Sequence, residues 1–415
     1  MIALCDMEKF YASVELIFRP DIINRRVAVL SNNDGCVVAC TREAMAVGVE
    51  KFMPYFQQKE LIKRECVTVF SSNYTLYGLV SQRIMAILTE EAPLTEVYSI
   101  DEAFLDVTGI PNLPSFGAHL RARVWKEQRI PMGVGIAPSK TLSKLANKAS
   151  KFYGQLQGVC ILDEAHKWEW LIQRVHLTDV WGIAKGMEKR LAGNNVKSAH
   201  ELSLLSQSQA RNIGGVVLAR TVNELNGIPS IEFETSVANK QQIVSSKSFG
   251  TKTQDKSVLK RAVSMYAMRA SEKLRKQHSV TGLMSVWIQT ARYDPRQAYF
   301  CPVMHWAFDP PTDDSRFLSS IAASLVDTLY RSNLHYAKVG VSLSKIREKG
   351  VEQGDLFSSV KKDDSLNEVM DSINHRYGRS TVRPARQAGD NQLMKREFLS
   401  PNYLTQWSDI PIVRC

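Results

Sequence analysis

Residues 96–109 read EVYSIDEAFLDVTG. Val97, Tyr98, Ile100, Phe104, Leu105 and Val107 are strand-favouring types, yet Asp101 and Glu102 stand side by side among them. Burying two carboxylates there without partners costs on the order of several kcal/mol each. A third carboxylate, Asp6, follows the apolar run 2–5. Three carboxylates with no His or Cys ligand set beside them suit a hard divalent cation such as Mg²⁺. Two such ions, about 3.5–4 Å apart, activate a hydroxyl nucleophile and stabilise a leaving pyrophosphate. They also offset the charge that makes the cluster costly. The plainer readings are that Asp6 caps a helix and that the Asp-Glu pair decorates a surface. Asp106, four residues past Glu102, reads as structural.

Adjacent residues on a regular strand face opposite sides. Asp101 and Glu102 therefore reach one site only where the backbone turns, and 96–109 is long enough for two short strands with 99–102 near the bend. The surrounding sequence supplies the frame. Strands are expected at 2–5, 27–30, 36–39, 67–70 and 132–136, with SNNDG (31–35) as a hairpin signal. Helices are expected from about 42 to 48 and over 74–90, 115–128 and 139–151. In 74–90, Leu76, Leu79, Val80, Ile84, Ile87 and Leu88 recur at helical spacing, and Pro93 follows. In 139–151, Lys140, Lys144, Lys148 and Lys151 lie on or near one face, and Leu142, Leu145, Ala146 and Ala149 form another. Alone, that pattern is a solvated lysine face.

Residues 171–230 read mostly helical and contain VWGIAKGMEKRLAG, a short hairpin between two helical patterns. Residues 231–242 read as a linker. Residues 243–345 run strand, long helix, strand, strand, helix, strand, the last at 336–343; this is the element order of the ferredoxin-like motif. The first part of the chain shows a similar order once block 11–71 is set aside as an insertion. Beyond 346 the chain turns polar and irregular.

At 415 residues the chain exceeds one ordinary core, so at least two domains are expected. Its 44% hydrophobic and 23% charged content fits a globular protein, and no apolar run is long enough to span a bilayer. The start, MIALCDMEKF, does not read as a signal peptide. Seven scattered cysteines point to a reducing, cytosolic compartment, and Cys36 and Cys40 lack the partners of a zinc site. The net charge is +11, and residues 241–350 hold 17 Lys or Arg against 8 Asp or Glu. A basic segment can serve solubility alone; one this concentrated is better explained by a polyanion gripped through phosphate contacts.

CDMEKFYASVE (5–15) together with YSIDEAFLDVTG (98–109) resembles the Y-family DNA polymerases, which bypass damaged template bases. SNNDGCVVA, FSSNYTLYG, VGIAPSKTLSKLANKASK, DVWGIAKG and MKREFLSPNY make the resemblance one to the UmuC-type branch, the catalytic subunits of bacterial DNA polymerase V, over nearly the whole chain. It implies an α+β multidomain protein: a ferredoxin-like palm (1–10 and 72–165), small fingers (11–71), a helical thumb with a helix-hairpin-helix (166–230), a βαββαβ little finger (243–345) and a partner-binding tail (346–415). It implies error-prone translesion synthesis within the SOS DNA damage response, with two Mg²⁺ ions held by Asp6, Asp101 and Glu102 and by the backbone carbonyl of Met7. Tyr11 falls at the steric-gate position, where an aromatic ring under the sugar excludes a ribose 2′-hydroxyl, and Phe10 beside it joins the nucleotide site. Lys151 matches a lysine that contacts the incoming triphosphate, and Lys140, Lys144 and Lys148 become candidate DNA-backbone contacts.

Departures from the family pattern qualify single roles. Met45 stands where a basic residue is usual and cannot bind phosphate, which leaves Arg42, one helical turn away, as the candidate. Lys9 replaces a residue that is often aromatic. Ala184 stands where the second hairpin glycine is common; with Gly182 it would face a DNA phosphate through backbone N–H groups and a helix N-terminus. Lys247, Lys252, Lys256 and Arg261 are candidate DNA contacts of the little finger. Gln353, Asp355, Leu356 and Phe357, in QGDLF, resemble a sliding-clamp-binding pentapeptide, with Gly354 in place of a common Leu. The tail beyond would dock a cleaved UmuD-type dimer and a RecA-type filament, and the expected location is cytoplasmic, in association with the nucleoid. Two rivals stay open. One is a non-catalytic DNA- and clamp-binding relative, which would lose carboxylates. The other is a nucleotidyl cyclase, which has no use for a helix-hairpin-helix or a basic C-terminal domain.

Overall fold

Glycines at alternate positions of MGVGIA (132–137) decide how closely a helix lies on the central sheet. A Cβ on Gly135 would stand 2.1 Å from the Asn147 amide nitrogen and 2.3 Å from the Ser143 carbonyl oxygen. The helix after this strand is therefore seated backbone to backbone, and Asn147 Nδ2 donates to the Gly133 carbonyl at 2.7 Å. This computed structural model describes residues 1–234, 238–350, 365–378, 381–385 and 395–410. They form two compact units, 1–237 with 397–415, and 238–396.

In chain order the first unit contains β1 (Ile2–Met7), α1 (Phe10–Ile17), β2 (Val27–Leu30), β3 (Val37–Cys40), α2 (Arg42–Ala46), α3 (Tyr55–Arg64) and β4 (Thr68–Ser71). There follow α4 (Tyr74–Glu91), β5 (Thr95–Val97), β6 (Glu102–Asp106), α5 (Leu113–Gln128), β7 (Met132–Ala137), α6 (Lys140–Phe152) and β8 (Val159–Ile161). Then come α7 (Ala165–Ile172), α8 (Lys185–Ala192), α9 (Ala199–Ser203) and α10 (Gln207–Leu225). The main sheet has the order β5-β6-β1-β7-β8. Its first four strands reproduce the ferredoxin-like arrangement, with β1 central between β6 and β7 and antiparallel to both. The expected turn inside EVYSIDEAFLDVTG is present: β5 and β6 form an antiparallel hairpin around 98–101. The block after α1 folds on its own three-stranded sheet, β3-β2-β4, with β2 antiparallel to β3 and parallel to β4.

The second unit contains β9 (Ile243–Thr253), α11 (Lys256–Lys276), β10 (Ser279–Thr290), β11 (Val303–Thr312), α12 (Ser315–Leu329), β12 (Tyr336–Glu348) and α13 (Ser365–Tyr377). The expected βαββαβ order is there. The strand order β11-β10-β12-β9 is not that of the first unit: here the first strand lies at an edge beside the last, so the likeness to the ferredoxin-like motif is one of element order only. Buried faces of α11 and α12 (Leu259, Val263, Leu274; Leu318, Val326) meet Met284, Val286, Val341 and Leu343 in its core.

The described residues beyond 346 divide between the units. Helix α13 packs on the second, where Arg275 makes a two-pronged ion pair with Asp371 at 2.7 and 2.8 Å. Residues 397–410 pack on the first. QGDLF (353–357) lies outside the described residues. No helix among those described is long and apolar enough to cross a membrane.

Candidate active site

Asp6 and Glu102 are directly opposed across the antiparallel β1–β6 pair. Directly opposed side chains stand on one face about 4.5–5.5 Å apart at Cβ, and like charges there repel. The Met7 amide donates to the Asp101 carbonyl at 2.9 Å, which brings the hairpin turn, and with it Asp101, to the end of β1. Backbone pairing thus brings positions 6, 101 and 102 to one edge of the sheet. Asp106 stands apart: its carboxylate accepts from Thr108 N and Oγ1 at 2.9 and 2.6 Å, which holds it below the usual range. It closes a turn, as expected. Asp6 is not a helix cap, because the N-cap of α1 is Lys9, in the left-handed region at φ 50°.

Two lysines of α6 answer this charge. Lys151 Nζ lies 2.5 Å from Asp6 Oδ1, and Lys144 Nζ lies 2.9 and 3.0 Å from the two oxygens of Glu102. Gly133, the register partner of Asp6 on β7, makes room for the first: a Cβ there would stand 2.7 Å from Lys151 Cε. Lys144 also sits over the rings of Tyr98, Phe104 and Trp181, at 4.5, 5.5 and 5.3 Å from their centroids. Burial raises the Glu102 carboxyl above its ordinary value, Lys144 pulls it down, and Asp6 pushes it up again.

The lysine face of α6 is only partly solvated: Lys148 is exposed, and the others are buried or half-buried. Lys140 is 1% exposed, held by Glu96 Oε2 at 2.5 Å and the Glu232 carbonyl at 2.6 Å. Lys148 pairs with Asp179. Lys140 is thus no DNA-backbone contact: it is a buried cation that pins 232–234 onto the sheet. A period-3.6 pattern cannot tell such a residue from an exposed one when every lysine finds a distant carboxylate.

A cleft of about 630 Å³ opens beside the carboxylates and includes Asp6, Met7, Phe10, Tyr11, Asp101 and Lys151 in its wall. Glu102 is not in the wall; its carboxylate is turned to Lys144. Tyr11 is held by two rings of α4, stacked on Tyr77 (4.6 Å, 17°) and edge-on to Tyr74 (5.9 Å, 82°). Lys9, Arg42, Met45 and Lys51 line the same cleft. Arg42 pairs with Glu8. Burial, and then the neighbouring Lys51 ammonium, lower the Lys9 pKa. Two ammonium groups facing each other in a cleft favour an anion between them. Lys51 carries no local sequence signal, and only the fold brings it to Lys9.

The other candidates fall elsewhere. Gly182 takes φ 89° just before Ala184, the extended N-cap of α8, so the hairpin exists and its glycine is required where it stands. Lys252 pairs with Asp294 at 2.5 Å, and Lys256 with Asp327 at 2.6 Å, so a phosphate would have to compete for both. Lys247 is half-buried on β9, and Arg261 NH1 reaches Ser257 Oγ at 3.3 Å.

Among the described residues no three acidic, His or Cys side chains converge closely enough to hold an ion as they stand, and lysine ammoniums pair with Asp6 and Glu102. The donor set nonetheless fits a hard divalent cation. It consists only of oxygens, two of its members are like charges forced to face each other, and cations already sit against them.

Comparison with known proteins bears on the whole chain. The impB/mucB/samB family matches residues 5–148, the C-terminal domain of that family matches 240–356, and a domain of unknown function, DUF4113, matches 364–413. The chain is 42% identical over 418 residues to Protein UmuC of Salmonella typhimurium, covering 99% of each, and 39% identical over 419 residues to Protein MucB of Escherichia coli, again 99% of each. It is 26% identical over 400 residues to DNA polymerase IV of Bacillus velezensis, 91% of each. Among solved structures, a chimera of the Y-family DNA polymerases Dbh and Dpo4 has a TM-score of 0.67 at 20% identity, over 84% of this chain and 100% of that one. An insertion ternary complex of Dbh DNA polymerase gives 0.54 at 19%, over 84% and 100%. Y-family polymerases thus share the fold, and near-complete coverage at about 40% identity makes this chain a member of the impB/mucB/samB family.

Proposed function

We propose that the chain is an error-prone translesion DNA polymerase that adds deoxynucleotides to a primer 3′-hydroxyl opposite damaged template bases. The observation that carries the reading is that Asp6 and Asp101 line one cleft together with Tyr11 and the cations Lys9, Arg42, Lys51 and Lys151, with Glu102 opposed to Asp6 on the neighbouring strand. Asp6, Asp101, Glu102 and the Met7 carbonyl would hold two Mg²⁺ ions, which when bound supply hydroxyl activation and charge neutralisation at the leaving pyrophosphate. Lys144 and Lys151 pair with Glu102 and Asp6 until cations compete for them. Lys151, released from Asp6, then lies beside the triphosphate.

In the same cleft Lys9 and Lys51 take over the charge that Met45 lacks, and Arg42 joins them at the cost of its pair with Glu8. Tyr11, with Phe10 beneath it, meets the sugar. The hairpin at Gly182 and Ala184 and the basic second unit, through Lys247, Lys252 and neighbouring cations, grip duplex backbone without reading sequence. QGDLF suits a sliding clamp, which adds processivity by effective concentration, and the residues beyond suit a cleaved UmuD-type dimer and a RecA-type filament. A nucleotidyl cyclase would leave both the hairpin and the second unit without a task.

The test is primer extension on undamaged template with clamp, UmuD-type and recombinase partners supplied. Product that appears with Mg²⁺ and disappears with chelator is expected. Tight primer–template binding with no metal-dependent product sinks the catalytic reading in favour of a non-catalytic one.

A further inference from the structure

The end of the DUF4113 region lies across the first unit, far in sequence from everything it touches. Phe398 exchanges two bonds with Ser71, the last residue of β4: Ser71 N donates to the Phe398 carbonyl at 2.9 Å, and Phe398 N donates to Ser71 Oγ at 3.0 Å. Leu399 forms a parallel bridge to Ser71, so the segment adds to the free edge of the β3-β2-β4 sheet. Asp34, in the SNNDG turn, fixes the start by accepting from Glu397 N at 2.8 Å. Tyr403 fixes the end, stacked on Phe18 at 4.6 Å and 9°.

Between these anchors Ser400 is 3% exposed and joins two helices. Its hydroxyl accepts from Asn73 Nδ2 at 3.2 Å and donates to Glu15 Oε1 at 3.1 Å. Asn73 is the N-cap of α4, accepting from Leu76 N, and α4 carries Tyr74 and Tyr77. Glu15 lies on α1, one turn past Tyr11, and Oε1 also accepts from the Tyr77 hydroxyl at 2.6 Å. Tyr77, wholly buried, is the ring on which Tyr11 stacks. The other oxygen of Glu15, Oε2, is buried without a partner. The carboxyl is therefore oriented by two donors on one atom, and one of them comes from the C-terminal segment.

We propose that segment 398–403 is a strap that positions Tyr11, acting through Ser400, Glu15 and Tyr77 to set how strictly the site excludes ribonucleotides. Ser400, Glu15 and Tyr77 are positioning residues, since none of them lines the cleft. Without the Ser400 hydroxyl, Glu15 keeps a single donor, the α4 cap is left with its 3.3 Å bond to the Ser400 carbonyl alone, and the Tyr77 ring gains freedom that it passes to Tyr11. Tyr11 needs a fixed height to collide with a 2′-hydroxyl, whereas deoxynucleotide insertion tolerates a looser ring. The strap therefore controls selectivity more than rate. The inference rests on the polymerase reading of the same cleft.

The experiment is single-nucleotide insertion by the full chain with its partners, comparing kcat/KM for a ribonucleotide and the matching deoxynucleotide in wild type, Ser400→Ala, Ser400→Thr and, as positive control, Tyr11→Ala. Loss of one hydrogen bond to a buried carboxyl predicts a roughly three- to tenfold rise in the ribo-to-deoxy ratio for Ser400→Ala, with restoration by Ser400→Thr. An unchanged ratio in Ser400→Ala, with a raised one in Tyr11→Ala, overturns the strap and leaves the polymerase reading intact. If wild type inserts nothing, the polymerase reading fails, and amide hydrogen exchange decides the positioning itself. Faster exchange in Ser400→Ala over both 11–14 and 77–80 supports it; unchanged exchange at 11–14 overturns it.

Discussion

Replacing Glu15 with Gln removes a titration from the middle of the first unit. Burial drives the Glu15 carboxyl up from its ordinary 4.5 to about 7, while its bonds from Tyr77 and Ser400 and the charge of Arg19 pull it down. The folded chain thus holds this proton more tightly than the unfolded chain does. Its stabilising share is complete below about pH 4.5 and is lost as pH rises through about 7. At about 1.36 kcal/mol per unit of pKa difference, the loss between pH 5 and pH 8 amounts to about 2 to 3 kcal/mol. Gln keeps an acceptor for Tyr77 and Ser400 but cannot ionise. Relative to wild type, Glu15→Gln therefore gains about 2 to 3 kcal/mol between pH 5 and pH 8, whatever its own offset. Hydrogen exchange of the slowest amides of β1 and α4 reads this within the first unit: the ratio of wild-type to variant exchange rates rises roughly 30- to 150-fold between the two pH values. A ratio independent of pH would mean that Glu15 carries the same charge in both states, and the reasoning fails.

Two further outcomes follow from the walls of the site. Lys51→Ala raises KM for a deoxynucleoside triphosphate roughly tenfold or more, the worth of a charge-assisted hydrogen bond, and adding Met45→Arg recovers most of the loss. Steady-state insertion kinetics check both, and an unchanged KM in Lys51→Ala removes Lys51 from the triphosphate site. Gly135→Ala drives a methyl group into the backbone of α6 and costs about 3 kcal/mol or more, read as a lower denaturation midpoint of the first unit. A stability within error of wild type contradicts the close seating of that helix.

Sequence pattern reached the parts that local chemistry governs. The β5–β6 hairpin was legible because two adjacent carboxylates in an apolar strand demand a bend, and α4 was legible because six apolar residues recur at one spacing. Strand β8 (Val159–Ile161) and helix α3 (Tyr55–Arg64) were not found. The first is three residues long, and the second is mostly polar, buries Gln58 and Ile62, and presents no apolar stripe. The lysine face of α6 misled for a different reason: Lys140, Lys144, Lys148 and Lys151 look alike in sequence but meet Glu96, Glu102, Asp179 and Asp6 in the fold. In the site, Asp6, Asp101, Glu102 and Tyr11 stood in recognisable motifs, whereas Lys51 and the Tyr77–Glu15–Ser400 chain did not. Ser400 is 385 residues from Glu15, and no local periodicity carries information over that separation. The second unit's element order was readable, but its strand order depends on which edge α11 and α12 cover.

The central claim is that Asp6, Asp101 and Glu102 form one metal-dependent polymerising centre. Its most direct test is primer extension across an abasic site with Mg²⁺, sliding clamp, UmuD-type dimer and recombinase filament present, comparing wild type with Asp101→Asn. Among the described residues Asp101 pairs with no lysine and its carboxylate accepts from Ser99 Oγ at 2.7 Å, so the substitution removes charge while leaving the described ion pairs in place. Bypass by wild type, abolished in Asp101→Asn with primer–template binding retained, is the predicted result. Equal bypass by both proteins contradicts the account.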